Sequence, residues 1–232
     1  MPEEGRSSLR GAAAGPPGLM GSYLQRRYTI LFYTLLITLV SAPIISALKL
    51  SGVVMESLLA ASLLAAILPV RSVRTHPVLV VVMAIIWLAR PVTLWLDHPF
   101  WSALTLGLWT LIGLLAAAAA LRFAMGAREV ASEHLYAALS AYLLAGIFFG
   151  LLYFVLEQTF PGTFTFTGRF SETSAIYFSF VTLATLGYGD ISPHGDVARG
   201  MAIIEGIGGQ LFLAVLVARL VSLYSNPSNR SN

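Results

Sequence analysis

The sequence contains no cysteine, and only 11% of its 232 residues are charged. Without cysteine, the chain can form no disulfide, no thiolate nucleophile and no thiolate metal site. Soluble globular domains carry about 25% charged residues, so such a low share excludes that class. Hydrophobic residues make up 57% of the chain. The composition therefore predicts an integral membrane protein.

Six long apolar runs account for this composition. A helix needs about 20 mostly apolar residues to cross the hydrocarbon core of a bilayer. The sequence therefore predicts an all-α membrane protein with six transmembrane helices, over Tyr28–Leu48, Val53–Val70, Val78–Leu96, Trp101–Leu121, Leu135–Leu156 and Val197–Tyr224. Four tryptophans around the third and fourth runs are interpreted as an aromatic belt at the membrane interface: Trp87, Trp95, Trp101 and Trp109.

A seventh stretch, Glu172–Ala184, is too short to cross a membrane. Serine is a preferred N-cap residue, and an acidic residue in the first turn favours a helix start. Ser171 followed by Glu172 therefore predicts a short helix. Between the fifth and sixth spans, such a helix would be re-entrant.

The basic residues are distributed unevenly over the predicted loops. With the N-terminus in the cytoplasm, nine of the fourteen basic residues lie on the cytoplasmic side, and the positive-inside rule then favours cytoplasmic N- and C-termini. Because these residues are spread over several short loops, the net charge of +3 does not predict nucleic-acid binding.

The run Thr-Leu-Gly-Tyr-Gly-Asp at residues 185–190 directly follows the predicted short helix. Successive carbonyl groups can point to one side of a strip only if left-handed backbone steps alternate with right-handed ones. Glycine adopts left-handed conformations at little cost. Gly187 and Gly189 occupy alternate positions, and the intervening side chains can point away from the carbonyls.

Together with its flanks, from Tyr142 to Tyr224, this motif resembles the pore region of the tetrameric potassium channels. The resemblance implies a selectivity filter in which carbonyl oxygens replace the hydration shell of K+. It implies that Thr182 supports the filter and that Asp190 lies at the outer mouth. The ion-binding residues would be Thr185, Leu186, Gly187, Tyr188 and Gly189, with K+ held at the first four.

The implied function is passive, potassium-selective conduction across the plasma membrane of a bacterium. A filter needs four strips around one axis, and the chain has one, so we expect a homotetramer. The expected partners are K+ and the lipid bilayer, with K+ as permeant ion and no cofactor. We expect no enzymatic activity.

The same resemblance divides the chain into a disordered cytoplasmic tail (1–25), a four-helix sensor-like domain (26–130), a pore domain (131–226) and a short cytoplasmic tail (227–232). The predicted fourth span, Trp101–Leu121, contains no charged residue. A span without charge cannot sense voltage by moving through the membrane field.

Two residues of the last span stand out. Glu205 lies in an otherwise apolar helix, where a carboxyl group needs a partner. We expect it to support the filter from behind, with Thr182 or the filter backbone as partner and Arg199 as the rival partner. Gly209 is a candidate hinge, and close helix packing is an equally good interpretation.

Other interpretations of the motif remain open. A non-selective monovalent cation channel would need only small changes in the filter. A potassium uptake transporter subunit would need four such loops in one chain. An intramembrane aspartyl protease would need a second aspartate within an apolar span, whereas Asp97 and Asp196 lie in loops.

Overall fold

A computed structural model describes residues 26–48, 99–126 and 132–224, together with helical residues at 54, 57–61, 81, 84–85 and 87–89. Among these residues, five helices with continuous bounds and two short strands are present. In chain order these are α1 (Arg27–Ala47), α2 (Pro99–Gly126), α3 (Ser132–Thr159), β1 (Phe164–Phe166), α4 (Glu172–Leu183), β2 (Ile191–Pro193) and α5 (Asp196–Tyr224).

Four of these helices, α1, α2, α3 and α5, are long and apolar enough to cross a membrane. They coincide with the predicted first, fourth, fifth and sixth spans. The predicted second and third spans lie mostly outside the described residues, as do both predicted tails. Helix α2 continues to Gly126, beyond the predicted end, and so includes Arg122 near its C-terminus. The predicted stretch Trp101–Leu121 remains free of charge within this longer helix.

Several hydroxyl groups in α1 and α2 form hydrogen bonds within their own helix. Thr34, Thr38 and Ser41 in α1 donate to carbonyl oxygens three or four residues earlier, at 2.8–2.9 Å. Thr110 in α2 does the same to Leu106 at 2.6 Å. Because hydrocarbon offers no water as a partner, these bonds make the polar side chains compatible with the membrane.

Helix α3 is the centre of the fold, and it packs against α1, α2 and α4. The main core lies at this junction, where Leu31, Leu144, Ile147 and Phe148 are almost fully buried. Trp109 belongs to this core, with its ring 6.4 Å from that of Phe148. The aromatic-belt prediction is therefore wrong for Trp109, because its position in α2 faces α3 rather than the lipid interface.

Helix α4 approaches α3 closely at a glycine. A Cβ atom at Gly150 would lie 2.5 Å from the Cα atom of Ile176 in α4, a distance that no side chain could accept. Small residues allow two helix backbones to approach in this way. The short helix α4 therefore packs closely against α3 at this position.

The strands β1 and β2 form an antiparallel pair in which Thr165 lies opposite Ser192. The amides of His194 and Gly195 continue the contact by donating to the carbonyl of Thr163, at 2.7 and 3.1 Å. These bonds join the segment before α4 to the segment that precedes α5. The all-α prediction is therefore incomplete, because this pairing links residues far apart in the sequence.

Helix α5 contacts the rest of the chain along one stripe only. Ala198, Glu205 and Gly209 on this stripe are buried, and Phe212 and Leu216 continue it towards the C-terminus. This spacing of three and four residues is that of a single helix face. On the other faces, apolar side chains such as Ile203, Ile204, Ile207 and Leu211 are exposed in the single chain.

Candidate functional site

The site begins with the start of α4. Ser171 is the N-cap residue, in an extended conformation, and its hydroxyl oxygen accepts a hydrogen bond from the amide of Ser174 at 3.1 Å. Glu172 lies in the first turn. A helix of this length depends on such a cap, because its first amides have no partner within the helix. The predicted start of the short helix is confirmed.

The end of α4 is fixed by two backbone hydrogen bonds that together form a Schellman motif. The amide of Leu186 donates to the carbonyl of Val181 at 2.8 Å, and the amide of Thr185 donates to that of Thr182 at 3.0 Å. The motif requires a left-handed residue just beyond the helix, usually glycine. Here that residue is Thr185, with φ of 56°.

Left-handed residues then recur at every second position. Gly187 has φ of 61° and Gly189 has φ of 79°, so that they alternate with Leu186 and Tyr188 after Thr185. The expected conformation of the two glycines is confirmed, whereas that of Thr185 was not foreseen. A β-branched residue with positive φ is rare and marks a constrained backbone.

The segment Thr185–Gly189 that follows α4, called the strip below, is exposed in the single chain. The side chains of Leu186 and Tyr188 are 55% and 65% exposed in the single chain. Within the described part of the chain, residues 187–189 lie outside the helices and strands and make none of the backbone hydrogen bonds found in turns and loops. Backbone carbonyls are strong acceptors and need a partner when they are shielded from water. The carbonyls of this strip are therefore available to another ligand.

Asp190 at the end of the strip interacts with α4. Its carboxylate lies beside the hydroxyl of Tyr177, and the Tyr177 ring stacks with that of Tyr188 at 6.4 Å between centroids. Desolvation and the neighbouring carboxylate raise the pKa of Tyr177. The phenol therefore keeps its proton, and the ring contact between Tyr177 and Tyr188 holds the outer end of the strip beside α4.

Glu205 is 2% exposed in α5, and its partners differ from those expected. Its carboxyl group contacts the hydroxyls of Tyr153 in α3 and Ser179 in α4. Among the described residues it forms no hydrogen bond with Thr182 or with the strip, and Arg199 donates instead to the carbonyl of Pro193 at 3.2 Å. The predicted partners are therefore wrong, because α5 presents Glu205 to the middle of α4 rather than to its end.

Tyr153 and Ser179 were not identified from the sequence. They lie 52 and 26 residues away from Glu205 along the chain. The only sequence signal would have been that each is a hydroxyl within an apolar helical run, which many unrelated positions share. Only the packing of three helices brings them together.

Gly209 is a point of close contact. A Cβ atom there would lie 2.7 Å from the carbonyl oxygen of Leu183, the last residue of α4. Helix α5 continues without interruption through this position. The geometry therefore gives the close-packing interpretation a direct basis, and the hinge interpretation stays a prediction.

The chain matches known ion channels over this region. The family model described as "Ion channel" matches residues 138–226, which include most of α3 and all of α4, the strip and α5. Protein LctB of Bacillus caldotenax is 30% identical over 96 residues, which cover 38% of this chain and 71% of that protein. No solved structure matches the chain.

Two further relatives carry the word potassium in their names. The inward rectifier potassium channel Kirbac3.1 of Paramagnetospirillum magnetotacticum is 33% identical over 91 residues, or 38% of this chain and 28% of that protein. The two pore potassium channel c of Oryza sativa subsp. japonica is 36% identical over 88 residues, or 35% of this chain and 19% of that protein. The chain thus spans less than a third of either relative.

The helices, the strip and these matches define a membrane-embedded ion channel rather than an enzyme. More narrowly, the chain belongs to the potassium channel family.

Proposed function

We propose that four copies of the chain form a potassium-selective channel that conducts K+ passively through the strip from Thr185 to Gly189. The observation that carries this proposal is the recurrence of positive φ at Thr185, Gly187 and Gly189. Alternation of this kind lets successive carbonyls face one axis, where they replace the water around a cation. Thr185 adds its hydroxyl at the inner end.

The open faces of the chain support a tetramer. The strip and most of α5 are uncovered in the single chain, although α5 is apolar on its exposed faces. A strip of exposed carbonyls coordinates an ion only when other strips face it. Four chains around one axis would bring the strips together and would cover part of α5 with neighbouring chains.

The positions of the arginines support the proposed orientation. Arg27 at the start of α1 lies over the ring of Phe123 at 5.1 Å, and Arg219 in α5 contacts Ala124 at the end of α2. The first residue of α1, the last turn of α2 and the end of α5 thus share one end of the bundle. By the positive-inside rule, this end would be cytoplasmic.

This arrangement also bears on the number of spans. Helix α1 begins and α2 ends at the same end of the bundle, which is compatible with the two further crossings predicted between these helices. Two crossings would give the predicted total of six, with α4 as a re-entrant pore helix between the last two. We propose this topology, with both termini in the cytoplasm of a bacterial cell and the channel in its plasma membrane.

The remaining site residues take supporting roles in this proposal. Asp190, beside Tyr177, would place a ring of carboxylates at the outer mouth and concentrate cations there. Thr182 accepts the amide of Thr185 and so anchors the inner end of the strip. Gly209 would set the distance between α4 and α5, and it would also be the hinge if α5 bends during opening.

Potassium flux into liposomes that contain the purified protein tests the function. Gly187→Ala forces a left-handed alanine into each strip, at about 1–2 kcal/mol per chain, and is expected to reduce K+ flux about tenfold or more. Gly168→Ala is the matched control. Gly168 also has positive φ, of 87°, and open space around its Cα atom, but it lies outside the strip. Equal flux in the two variants would contradict the proposal.

Reversal potentials in mixed K+ and Na+ test selectivity separately. A strip that holds K+ by carbonyl oxygens predicts a reversal potential close to that of K+. A reversal potential near zero in symmetrical total cation would identify a non-selective monovalent cation channel instead. Native mass spectrometry should give an assembly of four times the 24.9 kDa of one chain.

A further inference from the structure

Three side chains from three helices meet in the buried region behind α4. The hydroxyl of Tyr153 in α3 lies 2.7 Å from Oε2 of Glu205 in α5, and Oγ of Ser179 in α4 contacts Oε1 of the same carboxyl group. Tyr153 and Ser179 are completely buried, and Glu205 is 2% exposed. These residues are called the brace below. Each of the three helices α3, α4 and α5 contributes one member.

The brace needs more protons than its hydroxyl groups hold. Besides Glu205, Oγ of Ser179 also lies 2.6 Å from the carbonyl oxygen of Gly146 in α3. Three oxygen–oxygen contacts therefore require three protons. Tyr153 and Ser179 each carry one hydroxyl proton, and a carbonyl oxygen carries none. The third proton has to reside on the carboxyl group of Glu205.

The geometry of the carboxyl group fits this distribution. A protonated carboxyl has one donor oxygen and one acceptor oxygen. Oε1 of Glu205 can donate to Ser179, which in turn donates to the carbonyl of Gly146, while Oε2 accepts from Tyr153. Each of the three contacts then holds one proton. The two contacts of the carboxyl group fall on different oxygens, as this arrangement requires.

The surroundings of Glu205 also favour a neutral carboxyl group. Among the described residues, no basic side chain pairs with it, and Arg199 is engaged with the carbonyl of Pro193. An ionised carboxylate within a membrane helix is costly unless a cation compensates it. A neutral carboxyl that makes two hydrogen bonds avoids this cost.

From these observations we propose that Glu205 is protonated in the folded protein and that Glu205, Tyr153 and Ser179 are positioning residues that hold α4 and thereby the strip. The inference rests on the proposed function for its effect on conduction. Ser179 lies less than one turn before Val181 and Thr182 in α4. The carbonyls of these two residues accept the amides of Leu186 and Thr185 at the start of the strip. A shift of α4 at Ser179 therefore moves the start of the strip.

Infrared spectroscopy of the protein in liposomes tests the proton directly. A protonated carboxyl has a C=O stretching band well separated from the bands of a carboxylate. We expect such a band at neutral pH, with a small shift in D2O, and we expect Glu205→Gln to remove it. If the band is missing, or if Glu205→Gln leaves it unchanged, Glu205 is ionised and the proposal is wrong. This result does not depend on whether the protein conducts K+, so it separates the brace from the proposed function.

Single-channel recordings test the positioning role. Tyr153→Phe and Ser179→Ala each remove one hydroxyl and are expected to lower the ratio of open to closed time about two- to tenfold, the change that one net hydrogen bond supports. Tyr136→Phe and Ser140→Ala are the matched controls. They remove hydroxyls of α3 that bond Tyr33 and the carbonyl of Tyr28, away from α4. A role in folding alone would reduce the number of channels but not this ratio.

The amide in Glu205→Gln has the same shape as a protonated carboxyl, with one donor group and one acceptor oxygen. We therefore expect Glu205→Gln to keep the open-to-closed ratio within about twofold of the wild-type value, a difference smaller than one hydrogen bond provides. Glu205→Ala, which removes both groups, should lower the ratio at least as much as Tyr153→Phe. Equal defects in Glu205→Gln and Glu205→Ala would overturn the positioning role of a neutral Glu205.

Discussion

The contact between α5 and the end of α4 can be tested by adding one methyl group at Gly209. In Gly209→Ala the new Cβ atom would lie 2.7 Å from the carbonyl oxygen of Leu183 and 2.9 Å from its Cδ1 atom. The carbonyl belongs to the backbone at the end of α4, so it cannot rotate away as a side chain would. Either α4 or α5 has to move.

Two opposing terms set the size of this effect. Overpacking by a methyl group costs about 1–3 kcal/mol, whereas alanine improves the helix over glycine by about 0.5–1 kcal/mol. We therefore expect Gly209→Ala to lower the free energy of unfolding by about 1–2 kcal/mol. Because the clash is with the last residue of α4, it should also displace the start of the strip and reduce K+ flux.

Gly206→Ala is the control for this experiment. Gly206 lies on the same helix and faces the same end of α4, but a Cβ atom there would be 3.8 Å from the carbonyl oxygen of Thr182, an ordinary contact. We expect this variant to be as stable as the wild type or slightly more stable, with unchanged flux. Denaturation of the purified protein in detergent, followed by intrinsic fluorescence, gives the comparison.

Two outcomes would separate the interpretations of Gly209. If Gly209→Ala is at least as stable as Gly206→Ala, the close-packing argument is refuted. If stability is unchanged but the open-to-closed ratio falls, Gly209 acts as a hinge and the contact with Leu183 is incidental. A loss of both stability and flux is the result that the geometry predicts.

Two other positions give simpler predictions. Arg219→Gln should weaken the contact between α5 and the end of α2, because the guanidinium binds the carbonyl of Ala124 and supplies the positive charge that a helix C-terminus favours. The hydrogen-exchange rates of the C-terminal amides of α2 should rise. Arg219→Lys should restore part of the protection. Ser171→Ala should destabilise α4 by about 1 kcal/mol, since it removes the cap on the amide of Ser174; Ser171→Asp should recover it, and equal unfolding temperatures for the two variants would contradict the role of the cap.

The short helix and the strip show which structural features could be predicted from a few consecutive residues. Ser171 and Glu172 predicted where α4 begins, because capping depends on a few consecutive residues. The two glycines predicted the left-handed steps at 187 and 189. The positive φ of Thr185 was not predicted, since threonine seldom adopts this conformation. Its conformation follows from the Schellman motif at the end of α4. The hydrogen bonds of this motif could not be predicted from the sequence.

Glu205 shows the opposite case. Its position in an apolar helix indicated that it needs a partner, and the need was inferred correctly. The identity of the partner was not, since the sequence offered Thr182, the filter backbone and Arg199 as candidates. The pairing of β1 with β2 was missed for a related reason. Strands of three residues are too short to show a clear alternation of polar and apolar side chains.

The sequence by itself determined that this protein is a membrane channel of the potassium channel family, because span length and the alternating glycines are properties of consecutive residues. Only the tertiary structure decided that Tyr153 and Ser179 meet Glu205, that Gly209 meets Leu183, and that α5 turns a single stripe towards its own chain. The physical reason is that contacts between helices depend on their rotation and separation. Many side chains settle these quantities jointly, and no single run of residues encodes them.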